Sequence, residues 1–163
     1  MFGRIFEETK SKNIEVLDIN GSKHIRNLKN FRFRIGAYGV LIKGHKILVQ
    51  VHPYTKKYGL PGGAVEMGET INEALKREFR EETGLKINVK NIIGIEEQFF
   101  TNPDFNEDAH SLFLLYKVEK KSGTLLTGGN NDDVLRAEYI NTKDLNRNNT
   151  EKYLWNILNI RTG

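Results

Sequence analysis

The sequence predicts an α+β fold in which a mixed β-sheet is packed between helices. β-rich runs come first along the chain, a well-marked helix follows, and further strands precede a last amphipathic helix, an order typical of this class. The 163 residues are enough to bury a hydrophobic core, and no internal repeat or interdomain linker interrupts them. We therefore expect one main domain over residues 35–163, preceded by an N-terminal extension over residues 1–34.

The N-terminal extension is predicted to form a hairpin packed on the main domain. Residues 14–19 have the composition of a strand and lead into Asn20-Gly21-Ser22, a typical tight-turn sequence. Residues 1–34 contain eight Lys or Arg against four acids, whereas the rest contains seventeen of each, so the net charge of +4 lies in the extension. A basic segment could approach a phosphate-rich ligand or RNA, but a solvated basic strand is the simpler interpretation.

A second hairpin is predicted from two β-rich runs, residues 36–42 and 46–51, separated by Lys43-Gly44-His45, with His45 in the turn. A polar loop over His52 to Gly59 follows. The next four residues, Leu60-Pro61-Gly62-Gly63, are expected to be irregular, because proline and paired glycines disfavour regular structure and allow the backbone to approach a neighbour closely. This segment is the first that suits a ligand site.

The central helix has clear signals at both ends. Thr70, with Glu73 three residues later, forms a predicted capping box, and Gly84 is a natural C-terminal cap. Beyond it we expect three strands and a last helix, at residues 86–99, 111–119, 136–141 and 150–160. The apolar side chains of the last helix are predicted to lie in the core; they are Tyr153, Leu154, Trp155, Ile157 and Leu158.

Two or three carboxylates are predicted on the buried face of the central helix. At about 100° per residue, Glu78 and Glu82 fall among its apolar residues and Glu81 lies at the edge of that arc. Burying several carboxylates is unfavourable unless a cation or a protonation shift relieves their repulsion. Oxygen donors without His or Cys suit Mg²⁺, or Mn²⁺, better than zinc. Because Mg²⁺ shares its coordination between carboxylates and substrate phosphates, the cluster predicts phosphoryl chemistry. For Glu73 we prefer a solvated position, paired for example with Arg77.

The remaining composition excludes several classes of site. The chain has no cysteine, which excludes disulfides, thiolate metal sites and cysteine nucleophiles and is compatible with a reducing cytosol. No apolar run approaches the length of a membrane span, and the amino terminus lacks the apolar core of a signal peptide. We expect a cytoplasmic protein with no membrane partner, and the sequence is compatible with a homodimer.

The stretch from Gly63 to Leu85, GAVEMGETINEALKREFREETGL, resembles the Nudix box. That box is a glycine, five residues, Glu, seven residues, Arg-Glu, a bulky apolar residue, any residue, Glu-Glu, any residue, Gly and a bulky aliphatic residue. Every fixed position is filled, and Phe79 stands where aliphatic residues are commoner. The resemblance, to the MutT-like Nudix hydrolases, implies an α/β/α sandwich with a central mixed sheet.

The resemblance also implies roles for individual residues. The metal ligands would be the Gly62 carbonyl with the carboxylates of Glu78, Glu81 and Glu82, and either Glu78 or Glu82 would be the general base. Residues that support the site geometry would be Gly63, Glu69, Arg77 and Gly84. Family members often take a further base or ligand from a loop before a late strand, and Asp133, five residues before Glu138, is our candidate. A solvated loop acid is the alternative for Asp133.

The implied activity is Mg²⁺-dependent cleavage of a phosphoanhydride bond in a nucleoside diphosphate linked to another group. Candidate substrates are ADP-ribose, oxidised nucleoside triphosphates, dinucleoside polyphosphates and capped or triphosphorylated RNA. Pro103 lies eighteen residues beyond the box, close to but not at the spacing associated with ADP-ribose enzymes. Candidate substrate contacts are Arg34, Lys56, Lys57, Tyr58 and Phe100. The alternatives are a catalytically silent nucleotide sensor with the same fold and an enzyme that processes RNA 5′ ends.

Overall fold

A computed structural model describes residues 12–18, 21–102, 106–128 and 134–160. The chain divides into two compact units, Met1–Arg34 with Glu97–Ser111, and Ile35–Glu96 with Leu112–Gly163. The strands and helices are, in order, β1 (Asn13–Asp18), β2 (Lys23–Asn27), β3 (Arg32–Val40), β4 (Ile42–Lys43), β5 (Lys46–Val51), β6 (Tyr58–Gly59), β7 (Gly62–Ala64), α1 (Ile71–Thr83), β8 (Lys86–Asn102), β9 (Glu107–Ser122), β10 (Arg136–Asn141) and α2 (Lys152–Ile160).

The first unit contains the predicted N-terminal hairpin. Strand β1 pairs antiparallel with β2, Val16 lying opposite His24, and it also pairs in parallel with the end of β8, Leu17 opposite Phe100. Asp18 closes the turn, since its carbonyl accepts from the Gly21 N–H at 3.0 Å. The hairpin is therefore confirmed, although residues 19 and 20 of its turn lie outside the described residues. The treatment of residues 1–34 as a separate extension stays a prediction.

The second unit is an α/β/α sandwich. In β5, Ile47 and Val49 pack in one core cluster with Leu154 and Ile157 of α2. Leu48, between them, packs in another cluster with Leu75 and Phe79 of α1. Because successive residues of a strand point to opposite faces, the two helices cover opposite sides of the sheet. The predicted layers are confirmed.

The second predicted hairpin is confirmed only next to its turn. Strand β4 pairs with β5, Ile42 opposite Ile47, but the run 36–42 is split at Leu41. Strand β3 pairs instead with β7 over Gly36–Tyr38. The backbone changes partner here: the Gly39 N–H donates to the Pro61 carbonyl, whereas the Leu41 carbonyl accepts from the Leu48 N–H. One β-rich run thus serves two sheets.

The expectation that Gly62 and Gly63 are irregular is wrong. Both belong to β7, which pairs antiparallel with β3. The reason is the missing side chain: a Cβ on Gly62 would overlap the Ala37 carbonyl of β3, and its φ of +136° is one that other residues rarely adopt. The close backbone approach that Gly62 permits is to a neighbouring strand.

The central helix has the predicted ends. The Thr70 hydroxyl accepts from the Glu73 N–H and the Glu73 carboxylate accepts from the Thr70 N–H, which completes the capping box. Gly84 caps the C-terminus with φ +72°. Strand β10 matches its prediction, and β8 and β9 are longer than predicted.

Helix α2 contributes fewer core side chains than predicted. Tyr153, Leu154 and Ile157 are buried, whereas Trp155 and Leu158 are only partly buried, because a helix of nine residues turns one narrow face to the sheet. No helix of the described part of the chain is long and apolar enough to cross a membrane.

Candidate active site

The candidate active site lies between the start of β7 and helix α1, both in the second unit. Glu82 lies in the last turn of α1, and its residue is only 5% exposed. Its Oε2 accepts a hydrogen bond of 2.7 Å from the backbone N–H of Gly62. A buried carboxylate needs such a donor, because an unpaired buried charge is strongly unfavourable. The contact fixes one oxygen of Glu82 directly beneath the glycine segment.

Glu78 lies one turn earlier on the same face of α1, against Gly63. A Cβ on Gly63 would come within 2.5 Å of Oε1 of Glu78, so the carboxylate occupies the space that any other residue would fill. The Glu78 side chain is 16% exposed, and Oε1 also accepts from Nη1 of Arg77 at 2.8 Å. The two glycines therefore have different structural roles: Gly62 allows strand pairing, and Gly63 makes room for a carboxylate.

Arg77 ties the loop before α1 to the helix. Its guanidinium contacts both oxygens of Glu69, Nη2 to Oε1 at 2.7 Å and Nε to Oε2 at 3.2 Å, and also donates to the Ala64 carbonyl. The hydrogen bonds from Arg77 and from the Glu66 N–H hold the pKa of Glu69 below its ordinary value, and the bond to Glu69 raises the pKa of Arg77. A two-pronged pair of this kind fixes orientation as well as charge.

Glu81 differs from its neighbours. Its side chain is 48% exposed, and Oε2 lies 3.4 Å from Nη1 of Arg77. Two carboxylates, not three, are therefore on the buried side of α1. Glu73 is exposed, as predicted, and its partner is Thr70 in the capping box rather than Arg77. Gly84 caps the C-terminal end of α1, two residues after Glu82.

The donor set suits a hard divalent cation. Glu78, Glu81 and Glu82 offer only oxygen, and Gly63 leaves the space that the Glu78 carboxylate occupies. Among the residues in the described ranges, no three His, Asp or Glu side chains are grouped as in a formed cation site. The positive charge next to Glu78 and Glu81 is that of Arg77.

The other predicted site residues are more scattered. Lys56, Lys57 and Tyr58 lie in the second unit, on the segment that leads to the glycines, and the Tyr58 N–H donates to the Asn149 carbonyl. Arg34 and Phe100 belong to the first unit, where Arg34 pairs with Glu107 at 2.9 Å. Asp133 lies outside the described residues.

Sequence reasoning missed the backbone groups of the site. The Ala64 carbonyl and the Glu66 N–H bind the Arg77–Glu69 pair, and no side-chain pattern can indicate them. It also treated Tyr153 of α2 only as a core residue, although its hydroxyl accepts from the Leu60 N–H at 3.1 Å. The available signal was that a buried tyrosine usually needs a polar partner.

The sequence model of the family described as NUDIX domain matches residues 30–159. The chain belongs to the Nudix family. A protein named ADP-ribose pyrophosphatase from Methanocaldococcus jannaschii is 33% identical over 127 residues, which cover 74% of this chain and 71% of that protein. The chain is thus a Nudix hydrolase, and the family generally uses divalent metals.

Solved structures agree with this Nudix fold. A MutT NUDIX hydrolase from Burkholderia pseudomallei superposes with a TM-score of 0.65 at 20% identity, covering 78% of this chain and 97% of that one. An ADP-ribose pyrophosphatase from Streptococcus suis gives a TM-score of 0.55 at 15% identity, covering 79% and 91%. At such identities the structures show that the fold is shared.

Proposed function

We propose that this Nudix hydrolase cleaves, with Mg²⁺, the pyrophosphate linkage of a nucleoside diphosphate joined to another group, and that ADP-ribose is its substrate. The observation that carries the proposal is the pair of carboxylates, Glu78 and Glu82, held against two successive glycines at the start of β7. The relative from Methanocaldococcus jannaschii, named ADP-ribose pyrophosphatase, supports the choice of substrate.

Glu78, Glu81 and Glu82, with the carbonyl of Gly62, would hold the cation. When bound, Mg²⁺ supplies a Lewis acid for the phosphoryl oxygens and makes a water molecule more acidic. The exposure of Glu81 suits a ligand at the solvent side of the site, where substrate arrives. The buried Glu82 suits a ligand whose position is fixed beforehand.

Water is the nucleophile of the proposed reaction. Its oxygen forms a bond to one phosphorus, the bond from that phosphorus to the bridging oxygen breaks, and a carboxylate takes the water proton. Glu78 or Glu82 would accept this proton, and each already has one oxygen in a hydrogen bond, to Arg77 and to Gly62 respectively. With ADP-ribose the products are AMP and ribose 5-phosphate.

Asp133 and Arg77 have proposed roles beside this chemistry. Asp133 stays our candidate for a further base or ligand, on the sequence argument alone. Arg77, Glu69 and Gly63 would hold the carboxylates in place, since the Arg77 guanidinium contacts both Glu69 and Glu78.

Substrate contacts are proposed at the segment before the glycines. Lys56, Lys57 and Tyr58 are in the same unit as the carboxylates. For Arg34 to bind a phosphate, that phosphate would have to replace Glu107, and Phe100 is a partly buried strand residue in the first unit. We keep these two as weaker candidates.

RNA processing gains no support from the N-terminal charge. Lys23 pairs with Glu15, Arg26 with Asp108 and Arg34 with Glu107, so acids offset half of the six basic residues in the described part of 1–34. We therefore propose a small nucleotide derivative as the partner, and no observation on the described residues favours a homodimer.

A substrate panel tests the proposal. ADP-ribose, an oxidised nucleoside triphosphate, a dinucleoside polyphosphate and a triphosphorylated RNA are each incubated with Mg²⁺, with Mn²⁺ or with a chelator, and the products are separated. We expect ADP-ribose to give the highest kcat/KM and the chelator to stop turnover. Hydrolysis in ¹⁸O-labelled water shows which phosphorus is attacked. Turnover of no panel member, with cation present, would overturn the proposed activity.

A further inference from the structure

Three successive residues that lead into the site, Leu60, Pro61 and Gly62, each form a hydrogen bond with a different element of the second unit. The Leu60 N–H donates to the hydroxyl oxygen of Tyr153 on α2, at 3.1 Å. The Pro61 carbonyl accepts from the Gly39 N–H of β3 at 2.9 Å, and the Gly62 N–H donates to Glu82 on α1 at 2.7 Å. The segment Leu60–Gly62 therefore connects the hydroxyl of Tyr153 with the carboxylate of Glu82.

The Tyr153 hydroxyl is held at this place by its surroundings. The residue is 9% exposed, and its ring packs against Tyr38 and Phe113, with ring centres 5.0 and 5.3 Å apart. The hydroxyl fits against Gly59, where a Cβ would lie 2.6 Å from the oxygen. The aromatic ring thus supplies packing, and the hydroxyl supplies the contact with the backbone of the segment.

The Tyr153 hydroxyl also interacts electrostatically with Glu82 of the site. Burial raises the pKa of its hydroxyl well above the ordinary value, and the negative charges of Glu151 and Glu82 act in the same direction. The phenol is therefore neutral at physiological pH, and its oxygen can accept from Leu60 while the carboxylate of Glu82 stays nearby. A phenylalanine would keep the ring contacts and would lose only the hydrogen bond from the Leu60 N–H.

We propose that Tyr153 is a positioning residue of the active site: its hydroxyl fixes Leu60, and through Leu60–Gly62 it places the Gly62 N–H that orients Glu82. This inference rests on the proposed function. Tyr153 does not touch the reacting atoms; it acts from the helix on the opposite side of the sheet to α1. Both helices thereby contribute to the position of one carboxylate.

The substitution Tyr153→Phe tests the proposal, because it removes the hydroxyl and keeps the ring. We expect kcat for ADP-ribose to fall about tenfold with KM unchanged, the size of effect seen when a supporting hydrogen bond around a metal site is lost. In the protein without cation, the amide proton resonance of Gly62 should shift, since its bond to Glu82 changes. Tyr116→Phe, a partly buried tyrosine with its ring against the other core cluster, is the control.

The substitution Gly59→Ala gives a second, independent test of the role of the Tyr153 hydroxyl. The added Cβ would lie 2.6 Å from the Tyr153 hydroxyl oxygen in the wild-type background, whereas in Tyr153→Phe it would keep only ordinary van der Waals contacts of 3.7 Å, with the ring carbon Cζ and with Cγ of Glu151. We therefore expect Gly59→Ala to lower kcat by itself and to add little in the double variant, a coupling that a double-mutant cycle measures. If the reductions in kcat of the two single variants simply multiply in the double variant, the two sites are independent, which would contradict the proposal.

The outcomes separate this inference from the proposed function. Wild-type kcat with an unshifted Gly62 amide in Tyr153→Phe overturns the positioning role, even if the melting temperature falls, because lower stability alone indicates only packing. If the wild-type protein cleaves no nucleotide of the panel, the proposed function fails. The Gly62 resonance in the cation-free protein still decides the positioning role in that case.

Discussion

Oε2 of Glu82 accepts a hydrogen bond of 2.7 Å from the backbone N–H of Gly62, twenty residues earlier in the chain. The bond joins the two parts of the site that differ most in sequence character, a glycine segment and an acidic helix. It also explains how Glu82 is tolerated at 5% exposure, since an N–H directed at a carboxylate offsets part of its desolvation. The position of Glu82 is thus set before any substrate arrives.

Glu82→Gln is expected to stop turnover without unfolding the protein. The amide keeps nearly the same volume, and its carbonyl oxygen can still accept from Gly62, but the negative charge and the strong ligation are lost. We expect kcat to fall at least about 100-fold, or roughly 2.7 kcal/mol, with the melting temperature nearly unchanged. Steady-state kinetics and thermal unfolding measure both, with the exposed Glu119→Gln as the control for loss of one charge. Undiminished turnover would refute the metal assignment.

Gly62→Ala and Gly63→Ala are expected to fail in different ways. At Gly62 the added methyl group meets the backbone of Ala37, and φ is +136°. We therefore expect Gly62→Ala to lower the free energy of unfolding by at least about 1–3 kcal/mol. At Gly63 the methyl group meets the end of the Glu78 side chain, which can move away. We expect Gly63→Ala to keep most of its stability and to lose activity.

Chemical denaturation and kinetics on both glycine variants check this contrast. Gly128→Ala is the control, because a Cβ there meets nothing within 4 Å. Equal losses of stability at positions 62 and 63 would contradict the different roles that we assign to the two glycines.

The sequence predicted those parts of the fold that depend on local signals. The capping box at Thr70 and the cap at Gly84 are visible because helix ends need particular side chains and a left-handed residue. The layers followed from the order of the strands and helices along the chain. The split of β3 from β4 at Leu41 was not predictable, since a run of β-forming residues does not reveal which strand each part will pair with.

In the candidate site too, local features could be predicted from the sequence and long-range contacts could not. Residue type and helical spacing placed Glu78 and Glu82 on the buried face of α1, and the resemblance added Arg77 and Glu69. The strand partner of Gly62 could not be predicted, because its pairing with Tyr38 of β3 is a contact between distant parts of the chain. The role of the Tyr153 hydroxyl depends on a tertiary contact of the same kind.

Arg77→Lys is expected to impair the enzyme although it preserves the charge. A lysine has no planar fork, so it cannot contact both oxygens of Glu69 and the Ala64 carbonyl together. We expect about 10–100-fold lower kcat/KM, the usual cost of losing a residue that orients metal ligands. Arg80→Lys, exposed on the same helix, is the matched control and should behave as wild type. Activity of Arg77→Lys equal to that of Arg80→Lys would show that charge alone suffices.

Asp133→Asn is expected to slow turnover with a modest loss of cation affinity. If Asp133 is the further base, removing its charge should lower kcat by about 10²–10⁴-fold. Asp132→Asn changes the neighbouring acid and serves as the control. Kinetics over a range of Mg²⁺ concentrations separate the effect on kcat from that on affinity, and wild-type values for Asp133→Asn would make it an ordinary loop residue.

The contacts of Glu69 predict a specific dependence of stability on pH. Hydrogen bonds from Arg77 and from the Glu66 N–H lower the pKa of Glu69 from its ordinary 4.5 in the folded state. A lowered folded-state pKa means that Glu69 stabilises the protein above about pH 4.5 and that this contribution is lost as the pH falls through the folded-state pKa. The difference in melting temperature between wild type and Glu69→Gln should therefore be constant near neutral pH and shrink in acid. Glu73, whose pKa is lowered by Thr70, is present in both proteins, so its contribution cancels. A difference that stays the same from neutral pH to about pH 3 would contradict the pairing of Glu69 with Arg77.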